Sequence, residues 1–271
     1  MNILPRLTTL LALLCCGGCA TTHDQAGAPD LRTETVTYTA GGATCTGFVC
    51  YDAARADRRP GVLVVHEWWG HNEYVRERAR MLAGLGYTAM AIDMYGDGKH
   101  ATHPEDAKKF ATEVFANMPA GVERFTAAKR LLQQHPRTDP DRIAAIGYCF
   151  GGAIVLGMAR SGMDLDAVAS FHGNLATEAP AKKGEVKARV LVCHGAADEF
   201  IPKAQVDAFL AEMTAAGVDC TFVPYPGAKH GFTSKAADEN GRRFNLPLAY
   251  DEAADKASWQ ELQTFLAATW R

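Results

Sequence analysis

Gly147-Tyr148-Cys149-Phe150-Gly151-Gly152 follows the apolar run Arg142-Ile143-Ala144-Ala145-Ile146 and precedes Ala153-Ile154-Val155-Leu156-Gly157-Met158-Ala159. An apolar run, a nucleophilic side chain with a glycine two residues away on each side, and a helix-forming segment make the layout of a nucleophile elbow. Here Cys149 stands where most such elbows carry serine. A strand that turns sharply into a helix strains its central residue, and a Cβ at Gly147 or Gly151 would crowd the turn. The turn leaves the Cys149 sulfur at a helix N-terminus, whose positive end favours thiolate over thiol. It also points the Phe150 amide outward as one donor of an oxyanion hole.

Outward from this stretch the chain alternates strand and helix. Residues 33–39 and 43–51, joined by Gly41-Gly42, predict an antiparallel hairpin. Gly61-Val62-Leu63-Val64-Val65-His66 is a short apolar run of the kind buried on both faces of a parallel sheet. Helical spacing over 73–85 ends at Gly86, and 87–92 is the next strand. Helices are predicted over 104–117, 121–134, 203–216 and 250–270, with strands over 167–172, 188–193 and 220–223. This order predicts an α/β fold, a mostly parallel doubly wound sheet with helices on both faces, in which reactive groups gather at the carboxyl ends of strands.

Three loops at those ends supply partners for Cys149. Asp198 follows the run Val190-Leu191-Val192-Cys193-His194-Gly195, and His230 sits in Tyr225-Pro226-Gly227-Ala228-Lys229-His230-Gly231-Phe232. The order nucleophile, acid, base is that of α/β hydrolases. In that arrangement His230 moves the proton and Asp198 holds the imidazole in its working tautomer. The third loop is His66-Glu67-Trp68-Trp69-Gly70-His71, where the Trp68 amide is the expected second oxyanion donor. A carboxylate at Glu67, ending a buried strand, either faces solvent or meets a polar group in the site.

The motifs His66-Glu67-Trp68-Trp69-Gly70, Asp93-Met94-Tyr95-Gly96, Gly147-Tyr148-Cys149-Phe150-Gly151-Gly152, Gly195-Ala196-Ala197-Asp198 and Gly227-Ala228-Lys229-His230-Gly231-Phe232 together resemble the dienelactone hydrolase family, from about residue 33 to the C-terminus. The resemblance implies a carboxylic ester or lactone hydrolase with Cys149, Asp198 and His230 as triad, needing no metal or organic cofactor. It also implies a gating role for Glu67, which keeps the resting thiol neutral until substrate displaces it. The family's two substrate-binding arginines have no counterpart: those places read Gly96-Asp97-Gly98-Lys99 and Thr233-Ser234-Lys235. Lysine does not replace a bidentate arginine clamp. Arg242 or Arg243 could instead reach the site.

Other readings of these residues remain open. Trp68, Trp69, Tyr95, Phe150 and Phe232 suit the lining of an acyl pocket, and Trp69, Tyr95 and Phe232 suit core packing equally well. His172 and His194 end apolar strands and fit hydrogen-bonded supporting residues better than a second base. The pair His66 and His71 lies five residues apart, which does not share a helical face as a zinc motif requires. The fold would also suit a catalytically silent small-molecule binding protein. A redox role for Cys149 would call for a resolving cysteine, and no C-x-x-C accompanies it.

At 271 residues, 48% of them apolar, the chain can bury one large core over 31–271. A net charge of −3 gives no basic surface for nucleic acid. Residues 1–18, with Arg6 and the run Leu10-Leu11-Ala12-Leu13-Leu14, have the plan of a signal peptide. Gly17-Gly18-Cys19-Ala20 resembles a bacterial lipobox, with Cys16 where the motif favours leucine. Lipidation of Cys19 would attach the protein to a membrane facing the periplasm, and plain secretion is the alternative. Residues 19–30 predict a tether. Cys45 and Cys50, five apart in one strand, point to opposite faces roughly 16 Å apart and cannot pair. Cys193 and Cys220 fit buried core positions.

Overall fold

The computed structural model describes residues 28–271. The expected leader and most of the tether lie outside them. Eight strands form one sheet in the order β1-β2-β4-β3-β5-β6-β7-β8. The hairpin of β1 (Leu31–Ala40) and β2 (Ala43–Asp52) is antiparallel, and β2 also pairs antiparallel with β4 (Thr88–Ile92). From β4 onward the sheet is parallel, through β3 (Arg59–Val65), β5 (Thr138–Tyr148), β6 (Ala167–Phe171), β7 (Arg189–Gly195) and β8 (Cys220–Tyr225).

Alternate strand residues feed two cores, as the two-residue period of a strand requires. Leu63, Val65, Met90, Ile92 and Val192 face one core, closed by α2 (Pro104–Ala116), α3 (Met118–Gln134), α4 (Phe150–Arg160) and α5 (Lys203–Ala216). Val62, Val64, Ala89, Ala91 and Leu191 face the other, closed by α1 (Glu73–Gly84) and α7 (Glu252–Thr269). Both faces of the central strands β3, β4, β6 and β7 and the end of β5 are therefore dry, which is why they read as continuous apolar runs, while the edge strands β1 and β8 stay partly open to water.

Register sets the site. After β3 the chain goes to β4 on one side, then crosses to β5 on the other, so the sheet reverses direction between β3 and β5. Such a reversal leaves a crevice at the carboxyl ends. Val65 pairs with Gly147 and Gly195 with Tyr225, so the loops that follow leave the sheet side by side in two pairs.

The structure departs from the sequence expectations in three places. β5 begins at Thr138, not 142, across a register shift at Pro60/Gly61. Helix α3 begins at Met118, not 121, because the Asn117 side chain caps it by accepting from the Ala120 amide. Helix α6 (Ala236–Phe244) was not foreseen at all. Its Asn240-Gly241 pair breaks the helical signal, yet glycine is required there, since a Cβ on Gly241 would meet the Leu248 carbonyl at 2.6 Å.

Among the described residues no helix is long and apolar enough to cross a membrane. Cys45, Cys50, Cys149, Cys193 and Cys220 are all free thiols.

Candidate active site

The elbow is built as its glycines demand. Cys149 caps α4 with φ 52° and ψ −112°, in a region that non-glycine residues avoid, and its amide is held by the Phe171 carbonyl at 3.0 Å. A Cβ on Gly147 would strike the Gly151 carbonyl, and one on Gly151 would strike the backbone of Val65 and His66. The glycines thus let the β5–α4 turn lie directly against the β3 exit loop. Cys149 is half-buried at the floor of the crevice.

His230 enters from the loop after β8. Its Nδ1 lies 2.8 Å from Asp198 Oδ2, and the other oxygen of Asp198 accepts from the Phe200 amide at 2.9 Å. A carboxylate accepts only, so Nδ1 carries the hydrogen and Nε2 is left for Cys149. Burial opposes charging His230, but a thiolate at Cys149 and the Asp198 carboxylate beside it outweigh that and push its pKa up to about 10 once the sulfur is ionised. The β8–α6 loop is fixed from behind by a bridge between His230 and Leu248, and by the Ala249 amide donating to the His230 carbonyl. This is the part of the site that sequence reasoning missed. It rests on Gly241 letting 246–249 approach, a contact that the local sequence does not announce.

Glu67 turns inward. Only 6% exposed, it shares a small chamber with Cys149, His230 and Ser234. Burial pushes its carboxyl up to about 7, against the pull of His230, Arg78 and a hydrogen bond from Ser234. The Arg78 guanidinium is itself buried, donating to the Thr233 carbonyl at 2.6 Å and to Asp255 at 2.7 Å. It lies over the rings of Tyr74, Tyr148 and Trp259. In the sequence Arg78 is one of several cations of α1, with nothing local to set it apart.

Trp68 and Phe150 line the cleft alongside Cys149. The loop bearing Trp68 is braced from below: the Tyr95 hydroxyl donates to the Trp68 carbonyl at 2.9 Å, and His66 Nδ1 lies 2.6 Å from the Glu67 carbonyl. His66 Nε2 accepts from the Met94 amide, so Nδ1 is the donor. Burial pushes the His66 pKa down to about 4, which makes it a neutral strut. Asp93 pins the neighbouring turn by accepting from the amides of Tyr95 and Gly96.

A cleft of about 320 Å³ opens over Cys149 and His230, walled mainly by apolar residues that include Trp68, Phe115, Phe150 and Phe200. Of the five residues expected in a pocket, Trp68 and Phe150 line this cleft, whereas Trp69 touches only the Glu67 chamber and packs on Phe244. Tyr95 lies behind Phe150 as a prop for the Trp68 loop. Phe232 is wholly buried against His172 and Tyr225. Tyr95 and Phe232 thus pack behind this cleft and do not line it: one props the Trp68 loop and the other is wholly enclosed.

His172, at φ 39°, is buried with Nε2 2.8 Å from the Thr233 hydroxyl, and its ring meets that of His230 edge-on. His194 packs on Phe222. Arg242, Arg243 and Lys235 are exposed on or beside α6, and Lys99 pairs with Glu113. No grouping of three or more His, Cys, Asp or Glu suited to a metal occurs among the described residues.

Comparison with known proteins agrees with this architecture. The dienelactone hydrolase family pattern matches residues 47–270. A solved structure named m3DLH is 38% identical, covering 90% of this chain and all of that one with a TM-score of 0.84. A dienelactone hydrolase-like promiscuous phosphotriesterase, P91, from metagenomic libraries is 34% identical, covering 88% of this chain and 98% of its own, with a TM-score of 0.82. A protein of Methylorubrum extorquens assigned as a carboxymethylenebutenolidase is 30% identical over 64% of this chain and 63% of its own. The chain belongs to the dienelactone hydrolase family, and it is an ester or lactone hydrolase with an α/β-hydrolase fold.

Proposed function

We propose that hydrolysis runs through a covalent acyl-enzyme on Cys149, with His230 moving protons and Asp198 orienting it. The observation that carries this reading is that the elbow sulfur and His230 line one cleft, while the buried Asp198 carboxylate holds His230 from behind. The Cys149 thiolate adds to the ester carbonyl carbon, and the carbonyl electron pair moves to oxygen, where the Phe150 and Trp68 amides receive the charge. Collapse of that intermediate expels the alkoxide, which takes the proton from His230 Nε2. Water then adds to the thioester, gives its proton to His230, and the second collapse returns the Cys149 thiolate and the free acid.

Glu67 takes the Cys149 proton as substrate arrives. A carboxyl pushed up to about 7 can hold or release a proton near neutrality. Keeping the resting sulfur protonated also shields it from oxidation. Mixing the protein with an activated aryl ester should release a burst of phenol equal to the protein concentration, absent in Cys149→Ala. A silent binding protein gives no burst.

We also propose export and anchoring through Cys19, supported by the run at 10–14 and the sequence around Cys19. A Cys19→Ser variant should leave the detergent phase that the parent occupies.

A further inference from the structure

We infer that this site takes uncharged esters that are apolar on both sides of the scissile bond, with Phe200 reading the alcohol part and Phe115 the acyl part. The inference rests on the hydrolase reading above and narrows its substrate class.

The cleft has no charged wall. Apart from the reacting Cys149 and His230, Asn174 is the one polar side chain lining it. A substrate carboxylate entering would lose water and gain no cation, an uncompensated cost. The neighbouring cations are engaged or turned away: Arg78 on Asp255 and Thr233, Lys229 towards Glu199, Arg242 and Arg243 on the exposed side of α6.

Phe115 and Phe200 mark the mouth. At 48% and 45% exposed they leave more of a large apolar side chain in water than any other described residue. Neither belongs to a core cluster. A substrate lying across the mouth would cover both.

Their places give each ring a different job. The Phe200 ring meets His230 edge-on, with centroids 5.1 Å apart. His230 hands its proton to the leaving oxygen, so the alcohol part departs past Phe200. The Phe115 ring stands edge-on to Phe150 at 5.4 Å. The Phe150 amide holds the carbonyl oxygen, so the acyl chain extends towards Phe115. The Phe200 amide, not its ring, binds Asp198, so truncating the ring leaves that contact in place.

The test is kcat/KM on two ester series for the parent, Phe115→Ala and Phe200→Ala. One series varies the acyl group on p-nitrophenol from acetate to hexanoate and adds the anionic half-ester of glutarate beside neutral pentanoate. The other compares methyl with benzyl butyrate, whose alcohols have similar acidity. The parent should prefer pentanoate over the glutarate half-ester by roughly a hundredfold, and benzyl over methyl by roughly tenfold. Phe200→Ala should erase the benzyl preference and leave the acyl profile standing. Phe115→Ala should flatten the acyl profile and leave the benzyl preference. Equal or better turnover of the anionic ester overturns the inference, as does either substitution acting alike on both series. In both cases the phenol burst persists, so the hydrolase reading survives. A parent that shows no burst with any ester overturns both.

Discussion

His230 and Asp198 are joined by a 2.8 Å hydrogen bond between two loops that leave adjacent parallel strands, and the carboxylate is completely shielded from solvent. The bond fixes which imidazole nitrogen faces the sulfur. Asp198→Asn replaces an acceptor with a group that can donate, so it favours the wrong tautomer. The expected loss in kcat is roughly 10³- to 10⁴-fold with little change in KM, measured by steady-state kinetics. The pKa of His230, read by NMR, should fall.

Glu67→Gln should slow acylation and remove a titration near neutrality from the pH profile of kcat/KM. It should also change stability in a predictable direction. The folded-state pKa of Glu67 is raised, from 4.5 to about 7. The folded state therefore binds the proton more tightly than the unfolded state does. The resulting stability is fully present below the unfolded value and is lost as pH rises through about 7. Thermal melts should show the parent losing ground to the Gln variant between pH 5 and pH 8. Parallel melting curves across that range would remove the buried carboxyl from the explanation.

Arg78→Met strands a buried carboxylate at Asp255 and a buried carbonyl at Thr233. Breaking such a pair from one side costs about 3–5 kcal/mol, readable by urea denaturation. Arg78→Lys should recover only part of it, since an ammonium cannot lie flat over Tyr148 or bridge two acceptors in the same way. In either variant the Glu67 titration should move to higher pH, because a neighbouring positive charge is withdrawn or displaced.

Gly241→Ala is a substitution outside the cleft that should still reach the chemistry. Alanine suits a helix better than glycine by about 1 kcal/mol, yet its Cβ would press on the Leu248 carbonyl. Relieving that clash shifts 246–249, which are bridged to His230. A fall in kcat exceeding any fall in melting temperature is the expected signature.

The fold was legible because the central strands are buried on both faces and so read as unbroken apolar runs. The elbow was legible because its glycines have no other use. Asp198 and His230 could be named because each follows a strand at the expected edge. Glu67 stood out as a carboxylate where burial was expected. What stayed hidden depends on contacts far apart in sequence. Arg78 looks like any helix cation until Thr233 and Asp255 close over it. Helix α6 looks like a loop because Asn240-Gly241 argues against a helix, and only the approach of Leu248 explains the glycine. Trp68 and Phe150 could be named as cleft wall because they sit within the motifs, but the mouth escaped: Phe115 and Phe200 come from separate segments, each unremarkable in its own stretch of sequence.

The thiols of Cys45, Cys50 and Cys220 are pushed up to about 11 by burial, and that of Cys193 to about 12. Cys149 is the one cysteine among the described residues that lines the cleft, so an alkylating reagent entering there meets a single sulfur. Iodoacetamide should add a single carbamidomethyl group to residues 28–271, and the rate of that addition becomes a joint gauge of how open the cleft is and how firmly the resting sulfur keeps its proton.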